Sequence, residues 1–476
     1  LKVIGKISHS IPYTKNPLGY KGFECPIYDY LRERDYYKVL ENLADHRVVL
    51  PTKANVKKAI DKMDVPFKCP KNKNFTLALE YFERMMAGPL TAAVGLSEST
   101  INGKASPGLT YKKYGIATKE EAIDTPMFAE RLQNFAPPIF ENCGKREFLK
   151  LMLILEDKIR TFKVSEVDFV MHQKFLFDGQ NKSFMEACKQ SKFWCRYGFS
   201  KEYGGFHRMC KKLEKFFFLY MSDISGWDRS LPVLQYIYNI RKKYLINPPE
   251  WFDWVAFHTV FSLECDQDGF VFVNHQGNRS GSNNTTPDNC LAHVLIKIYN
   301  LICIYEEIHG CVPDYDMISK QGVNLMGDDN LSGYTPEFYC VDFDERMRFR
   351  YGEFGLEVKV GSDRMAVIDK ILPDFEFLGC TIGFNNEFKK YVPLPRQNKV
   401  ASTIMYCEEL CDLNIYAQRI IGLLYVSFAD DILRPILYDI VGHLIKMPGL
   451  QDNLYEEFSF LLSCRKAQMT RVCGFE

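Results

Sequence analysis

At 476 residues the chain is long enough for a sizeable core and several subdomains. Its 46% hydrophobic and 25% charged residues are those of an ordinary globular protein. Lys plus Arg balances Asp plus Glu at 60 each, which excludes a global field for attracting nucleic acid, so any RNA-binding surface has to be local. The sixteen cysteines are scattered, form no Cys-x-x-Cys and follow no signal peptide, which predicts reduced thiols in a cytosolic setting. Cys407 and Cys411, a helical turn apart with no nearby His, read as core thiols rather than zinc ligands, and no structural metal is expected. The most apolar stretch, 415–429, contains Gln418 and Arg419 and is too short to span a bilayer, so any membrane attachment is expected through partners. A start at Leu1 rather than Met fits release from a longer precursor and equally a trimmed chain.

The first hundred residues predict helices at 36–43 and 76–86, without repeats or low-complexity tracts. In ASPGLTYKKYG, Ser106, Pro107 and Gly108 make a tight turn followed by Tyr111, Lys112, Lys113 and Tyr114. Amides and lysines beside aromatics suit a single-stranded phosphate backbone; an exposed loop with solvated lysines fits the same letters. A Leu- and Lys-rich helix is predicted over 146–155, leading into EDKIRTF. A strand there projects Lys158 and Arg160 from one face and Lys163 from the other. Paired cations match a triphosphate, or else guard an edge strand against aggregation.

The run 216–221 reads as a buried strand that delivers Asp223 at its end, with Asp228 a turn later. A carboxylate at such a place is costly unless paired or metal-bound, and two at this spacing can divide the work between a cation and a sugar. A turn residue and a helix cap are the plainer reading. Next, the Gly- and amide-rich loop 277–284 feeds a helix on which Leu291, Val294, Leu295, Ile298 and Ile302 recur at helical spacing. Thr285 and Asn289 share one face at its start, able to hydrogen-bond a hydroxyl or simply to cap.

VNLMGDDNLSGY then reads as two short strands, 323–326 and 331–334, flanking a turn of Gly327, Asp328, Asp329 and Asn330. Two neighbouring carboxylates on a rigid turn repel, and a divalent cation, Mg²⁺ foremost, is what keeps both ionised; a merely polar turn is the other possibility. A helix is predicted over 343–352, then a short strand carrying Lys359, then a second hairpin over 375–384. From 397 to about 466 the pattern is mostly helical, with Cys411, Ile415, Ile420, Leu423, Leu424 and Phe428 among its apolar positions, and forms a separate helical unit.

Asp223 with Asp228, then Ser280, Gly281, Thr285 and Asn289, then Gly327, Asp328 and Asp329 form D-x4-D, SG-x3-T-x3-N and GDD in that order. From Ser106 to about Cys380 the chain resembles the RNA-dependent RNA polymerases of positive-strand RNA viruses, and GNRSGSNNTTPDN and KIRTF are worded most like those of potyviruses and astroviruses. The resemblance implies an α+β right-hand fold of fingers, palm (antiparallel sheet plus helices) and mostly helical thumb, encircled by fingertips. It divides the chain into fingers with N-terminal fingertips (1–212), palm (213–238 and 280–392), a fingers insertion (239–279) and thumb (393–476).

It further implies nucleotidyl transfer to an RNA 3′-hydroxyl by two Mg²⁺ ions about 3.5 to 4 Å apart, with Mn²⁺ able to substitute. Asp223 and Asp328 are the expected ligands, assisted by Asp329. Lys158 and Arg160 would neutralise the triphosphate, and Lys359 would donate a proton to pyrophosphate, although a lone lysine on an exposed strand is ordinarily just solvated. Asp228, Thr285 and Asn289, with Ser280, resemble the site that senses the 2′-hydroxyl. Ser106, Pro107 and Gly108 resemble the loop guiding the template, with Gly281 also beside RNA, and Phe377, Leu378, Gly379 and Cys380 the primer-supporting hairpin. Expected partners are template and nascent RNA, NTPs and other viral replication proteins, at membrane-associated replication complexes in the host cytoplasm. Initiation from a protein primer, an oligonucleotide or neither stays open. A reverse transcriptase shares the paired aspartates, but Gly327 and the Thr285/Asn289 pair argue against it; a non-catalytic RNA-binding scaffold would bind RNA without incorporating nucleotides.

Overall fold

Phe218–Ser222 is aromatic and apolar on both faces, and such a strand is stable only between two neighbours with cover above and below. In the computed structural model, which describes residues 2–7, 20–21, 23–63, 66–95, 101–190, 193–359 and 361–463, it lies inside a four-stranded antiparallel sheet. The strand order is Gly322–Met326, Asp329–Tyr334, Phe218–Ser222, Arg364–Val367. Leu1 and the residues beyond Ser463, where the predicted helical pattern was to end, lie outside the described residues. The outer edge at Leu325 is closed by backbone hydrogen bonds to Trp194 and Arg196, so no ladder is left open there.

One face of this sheet packs on the helix Thr285–His309, whose Leu291, Val294, Leu295, Ile298 and Ile302 are wholly buried as the spacing predicts. The helix is buried on every side through Ile304, because the helices Lys73–Met86 and Phe343–Glu353 flank it. Its end is set by Gly310, left-handed at φ 72°. A second sheet, of five strands, runs Val3–Lys6, Phe270–Asn274, Ser262–Cys265, Ile139–Gly144, Thr161–Val164. The long helix Val167–Lys189, which local periodicity did not single out, follows it.

Four expectations need correction. The predicted helix 146–155 is a strand, Phe148–Lys150, followed by the single turn Leu151–Leu155, because Phe148–Lys150 pairs with the sequence-distant His46–Val49. Lys158 and Arg160 precede the strand Thr161–Val164 rather than belonging to it. Cys407 closes the two-residue strand Tyr406–Cys407 and Cys411 lies before the next helix, so they are not a turn apart on a helix; both are free thiols. Finally, the helices Gln397–Met405, Leu413–Val426, Leu433–Leu444 and Asp452–Ser463 are not a separate unit. Their core includes Cys25, Ile27, Leu31 and Leu40, and Phe23–Glu24 pairs with Tyr406–Cys407.

Candidate active site

Register carries the acidic residues to one end of the four-stranded sheet. Met326 pairs with Asp329, which leaves Gly327 and Asp328 as a two-residue hairpin turn, tighter than the four-residue turn expected. Gly327 has φ 64°, the left-handed first corner that a type II′ turn reserves for glycine. Asn330 pairs with Ser222, so Asp223, the next residue of its strand, comes to lie beside Asp329. Lys359 closes the group: its Nζ is 2.5 Å from Asp223 Oδ2, and its backbone N–H donates to the Asp223 carbonyl at 2.9 Å. Lys359 follows the strand Glu357–Val358, which pairs with Ile224–Ser225.

The electrostatics are those of crowded acids. Burial raises the Asp328 carboxyl above its usual range, and the charges of Asp223 and Asp228 raise it further. Asp329 is pushed up to about 7, first by burial and then by Asp328 and Asp223. Hard carboxylate oxygens that repel one another in this way fit a divalent cation of the Mg²⁺ class. Among the described residues, however, no three such groups converge around one point, and Asp223 is ion-paired with Lys359. Asp223, Asp328 and Asp329 could hold a cation once Lys359 lets go.

Asp228 sits on the one-turn helix Trp227–Ser230. It faces solvent, yet the surrounding protein desolvates it enough to raise its pKa against the opposing pull of Asn289, Arg160, Lys163 and Lys145. Asn289 Nδ2 donates to Asp228 Oδ1 at 2.6 Å, and Asn289 Oδ1 accepts from Asn278 Nδ2 at 2.9 Å. The predicted Asp228–Asn289 pair is therefore assembled. Thr285 is used otherwise: its hydroxyl lies 2.7 Å from the Arg279 carbonyl and 2.9 Å from that of Ser282, so it donates back to the loop and closes it. Ser280 Oγ accepts the Lys163 N–H at 2.9 Å. A Cβ on Gly281 would stand 2.2 Å from the Lys163 carbonyl oxygen, a close backbone approach that only glycine permits.

The two predicted triphosphate cations separate. Arg160 pairs with Glu147 at 3.2 Å, as does Lys145 at 3.1 Å, and both act on Asp228. Lys158 pairs instead with Glu156 at 2.7 Å, and the main cations acting on Asp228 are Arg160, Lys163 and Lys145. Sequence reasoning missed a buried network under the loop. Lys163 Nζ meets Glu264 Oε1 at 2.6 Å, Arg279 Nε lies 3.4 Å from the same oxygen, and Asn142 and Asn274 donate to that carboxylate. Although burial opposes it, Lys163 and Arg279 hold Glu264 below the usual carboxylate range. The signal was present in the opposite parity of Lys163, which turns it inward, where a lysine needs an acid.

A family model described as viral RNA-dependent RNA polymerase matches residues 88–440. The chain belongs to that family. The genome polyprotein of Zucchini yellow mosaic virus (strain Reunion Island) is 29% identical over 231 residues, 44% of this chain and 7% of the relative. That of Bean yellow mosaic virus is 24% identical over 277 residues, 56% of the chain and 9% of the relative. Non-structural polyprotein 1AB of Turkey astrovirus 1 is 25% identical over 272 residues, covering 55% and 16%. The chain thus spans only a small part of these relatives' length. The resemblance drawn from the ordered motifs holds at the level of the family, and its potyvirus and astrovirus wording agrees with the relatives found.

Two further segments of the chain differ from their expected presentation. Pro107 and Gly108 are buried rather than exposed: the Pro107 carbonyl accepts from Val167 N–H at 2.9 Å, and a Cβ on Gly108 would strike Glu166. Tyr111 is buried, and Lys112 pairs with Glu141 at 2.8 Å, so this turn offers Lys113 and Tyr114 outward instead. In the second hairpin Phe377 pairs with Cys380 across Leu378 and Gly379, at φ 52° and 69°, a type I′ turn. Phe377 and Cys380 are buried, and Phe377 packs in a core with Leu219 and Leu331, so only the tip at Leu378 and Gly379 is free to meet a ligand.

Proposed function

We propose that the chain performs template-directed RNA synthesis, transferring nucleotidyl groups from NTPs to an RNA 3′-hydroxyl in replication of a viral RNA genome. The observation that carries this reading is the sheet register that gathers Asp223, Asp328 and Asp329 beside the hydrogen-bonded pair Asp228–Asn289. In this reading the four-stranded sheet and its buried helix are the palm, residues 213–238 and 280–392. Residues 1–212 supply the fingers and their N-terminal tips, 239–279 an insertion in them, and 393–476 the thumb. The core shared by residues 25–44 with the C-terminal helices supports fingertips that reach the thumb.

Two Mg²⁺ ions bound by the three carboxylates, with Mn²⁺ as substitute, would acidify the primer 3′-hydroxyl and neutralise the charge developing on the triphosphate. Asp223, Asp328 and Asp329 would hold their carboxylates at the sheet end, beside the buried Ser222 and Asn330. Arg160 and Lys145, adjacent to Asp228, face the phosphates, which compete for them with Glu147. Asp228 and Asn289 present a polar pair to the ribose, left short of a partner when the 2′-hydroxyl is missing. Lys359 Nζ, within 2.5 Å of Asp223, holds the proton that the pyrophosphate leaving group takes. Template and nascent strand run past Gly281, the outward Lys113 and Tyr114 after the turn at Gly108, and the hairpin tip at Leu378, while Ser280 stands with the nucleotide. No helix among the described residues is long and apolar enough to cross a membrane, so recruitment to membrane-associated replication complexes in the host cytoplasm falls to other viral replication proteins.

Primer extension on a homopolymer template tests the reading. Asp328→Ala should lower incorporation by on the order of 100-fold or more while RNA binding persists. Equal incorporation by the variant and the parent would overturn it.

A further inference from the structure

His293 stands one helical turn beyond Asn289 on the helix Thr285–His309, fully buried, and both ring nitrogens bond outside that helix. Nδ1 is 2.7 Å from the carbonyl oxygen of Gly327, and Nε2 is 2.8 Å from the Tyr351 hydroxyl on the helix Phe343–Glu353. A carbonyl only accepts, so Nδ1 carries the hydrogen and donates it. The ring also lies against Trp227, 4.6 Å between centroids, and Trp227 immediately precedes Asp228. One side chain therefore touches the acidic hairpin, the turn that carries Asp228 and a third helix.

The bond to Gly327 falls at a sensitive place. The Gly327 carbonyl belongs to the peptide that joins it to Asp328, so the orientation of that peptide sets where the Asp328 side chain departs from the backbone. Little else steadies the corner: a Cβ on Gly327 would find no atom within 4 Å, and its N–H reaches only the Cys290 thiol, a weak acceptor at 3.4 Å. Both contacts come from the helix that bears Asn289.

We propose that His293 is a positioning residue, whose Nδ1–H fixes the Gly327–Asp328 peptide and thereby holds Asp328 where it takes a divalent cation. Through one rigid helix the same side chain ties the ribose-facing Asn289 to the acidic hairpin. A buried histidine that merely satisfies polar neighbours would behave otherwise, since any side chain filling the space would then serve. The inference rests on the reading that Asp328 is a cation ligand.

The test uses the full chain and reads Mn²⁺ binding by electron paramagnetic resonance, without substrate, beside thermal midpoints. His293→Leu keeps the bulk and loses both bonds. His293→Asn keeps an amide nitrogen near the Nδ1 position, while His293→Gln places one near Nε2, toward Tyr351. The expected result is Mn²⁺ binding weakened roughly 10-fold or more in His293→Leu, recovered largely by Asn and not by Gln. Unchanged binding in His293→Leu overturns the proposal, as does recovery by Gln instead of Asn or by neither. If His293→Leu does not fold, the Asn and Gln variants decide between themselves in the same way. Asp328→Asn is the control for the underlying reading: if it binds Mn²⁺ like the parent, Asp328 is not a ligand and the reading itself fails, whatever His293 does.

Discussion

In the proposed function sugar selection turns on Asn289, which donates a 2.6 Å hydrogen bond to Asp228. Removing it leaves Asp228 without its positioning partner, and a polar site so disturbed no longer penalises an absent hydroxyl. Asn289→Ala is expected to relax discrimination against deoxynucleotides roughly tenfold, more than it lowers the rate with ribonucleotides. Competition assays with NTP and dNTP check this; equal losses with both would refute it. Asp329 makes a pH prediction. Its pKa is raised to about 7, so between the ordinary carboxylate range and 7 the folded chain binds more protons than the unfolded one. The contribution of Asp329 to the stability of the metal-free protein should therefore fall as pH rises from about 4 to 7 and level off above. Asp329→Asn should flatten that part of the curve in thermal scans, and added Mg²⁺ should restore the parent at neutral pH. Asp223, Asp228, Asn289, Asp328 and Asp329 stood out in the sequence as an ordered set of spaced motifs, and Lys359 only through the resemblance, since a lone lysine after a short strand carries no pattern of its own. Glu264 was not, since its partner Lys163 lies 101 residues away on another strand of the same sheet and such a pair leaves no local pattern, and Lys145, paired two residues on with Glu147, belongs to no motif.

At the scale of elements, the loop 277–284 is held by backbone contact, and this is where its glycine acts. A methyl group on Gly281 meets the Lys163 carbonyl oxygen at 2.2 Å, and a strand backbone has less freedom to retreat than the end of a flexible side chain. Gly281→Ala should destabilise the protein by about 1 to 3 kcal/mol and displace Ser280 from the Lys163 N–H. Urea titration measures the first and the KM for NTP the second; a variant with parental stability and KM would show that the strand yields freely. The acidic hairpin was readable in advance because strand alternation and turn residues both mark it. The strand Phe148–Lys150 was not, because its reason is His46–Val49, about a hundred residues away. Tertiary pairing overrode the helical propensity of a Leu- and Lys-rich run.

At the scale of the molecule, the two ends of the chain share one core. Leu31 and Leu40, wholly buried, pack among Ile404, Ile420, Leu437 and Leu444 of the C-terminal helices. No periodicity announces this: the helices show apolar faces without saying what covers them, so they read as a unit of their own. If these ends are fingertips and thumb, their shared core closes a ring around the cleft, and its integrity governs how long RNA stays enclosed rather than how fast a bond is made. Leu31→Ala leaves a cavity that costs about 2 to 5 kcal/mol, because the surrounding helices relax only partly. The sheet that bears Asp223 and Asp328 packs in a different core from that cavity. Single-nucleotide incorporation should therefore proceed at nearly the parental rate at a temperature where the variant is folded. Product length per binding event, measured with a heparin trap, should shorten. A variant that loses the incorporation step in proportion to processivity would instead mean that the joined ends shape the catalytic sheet directly.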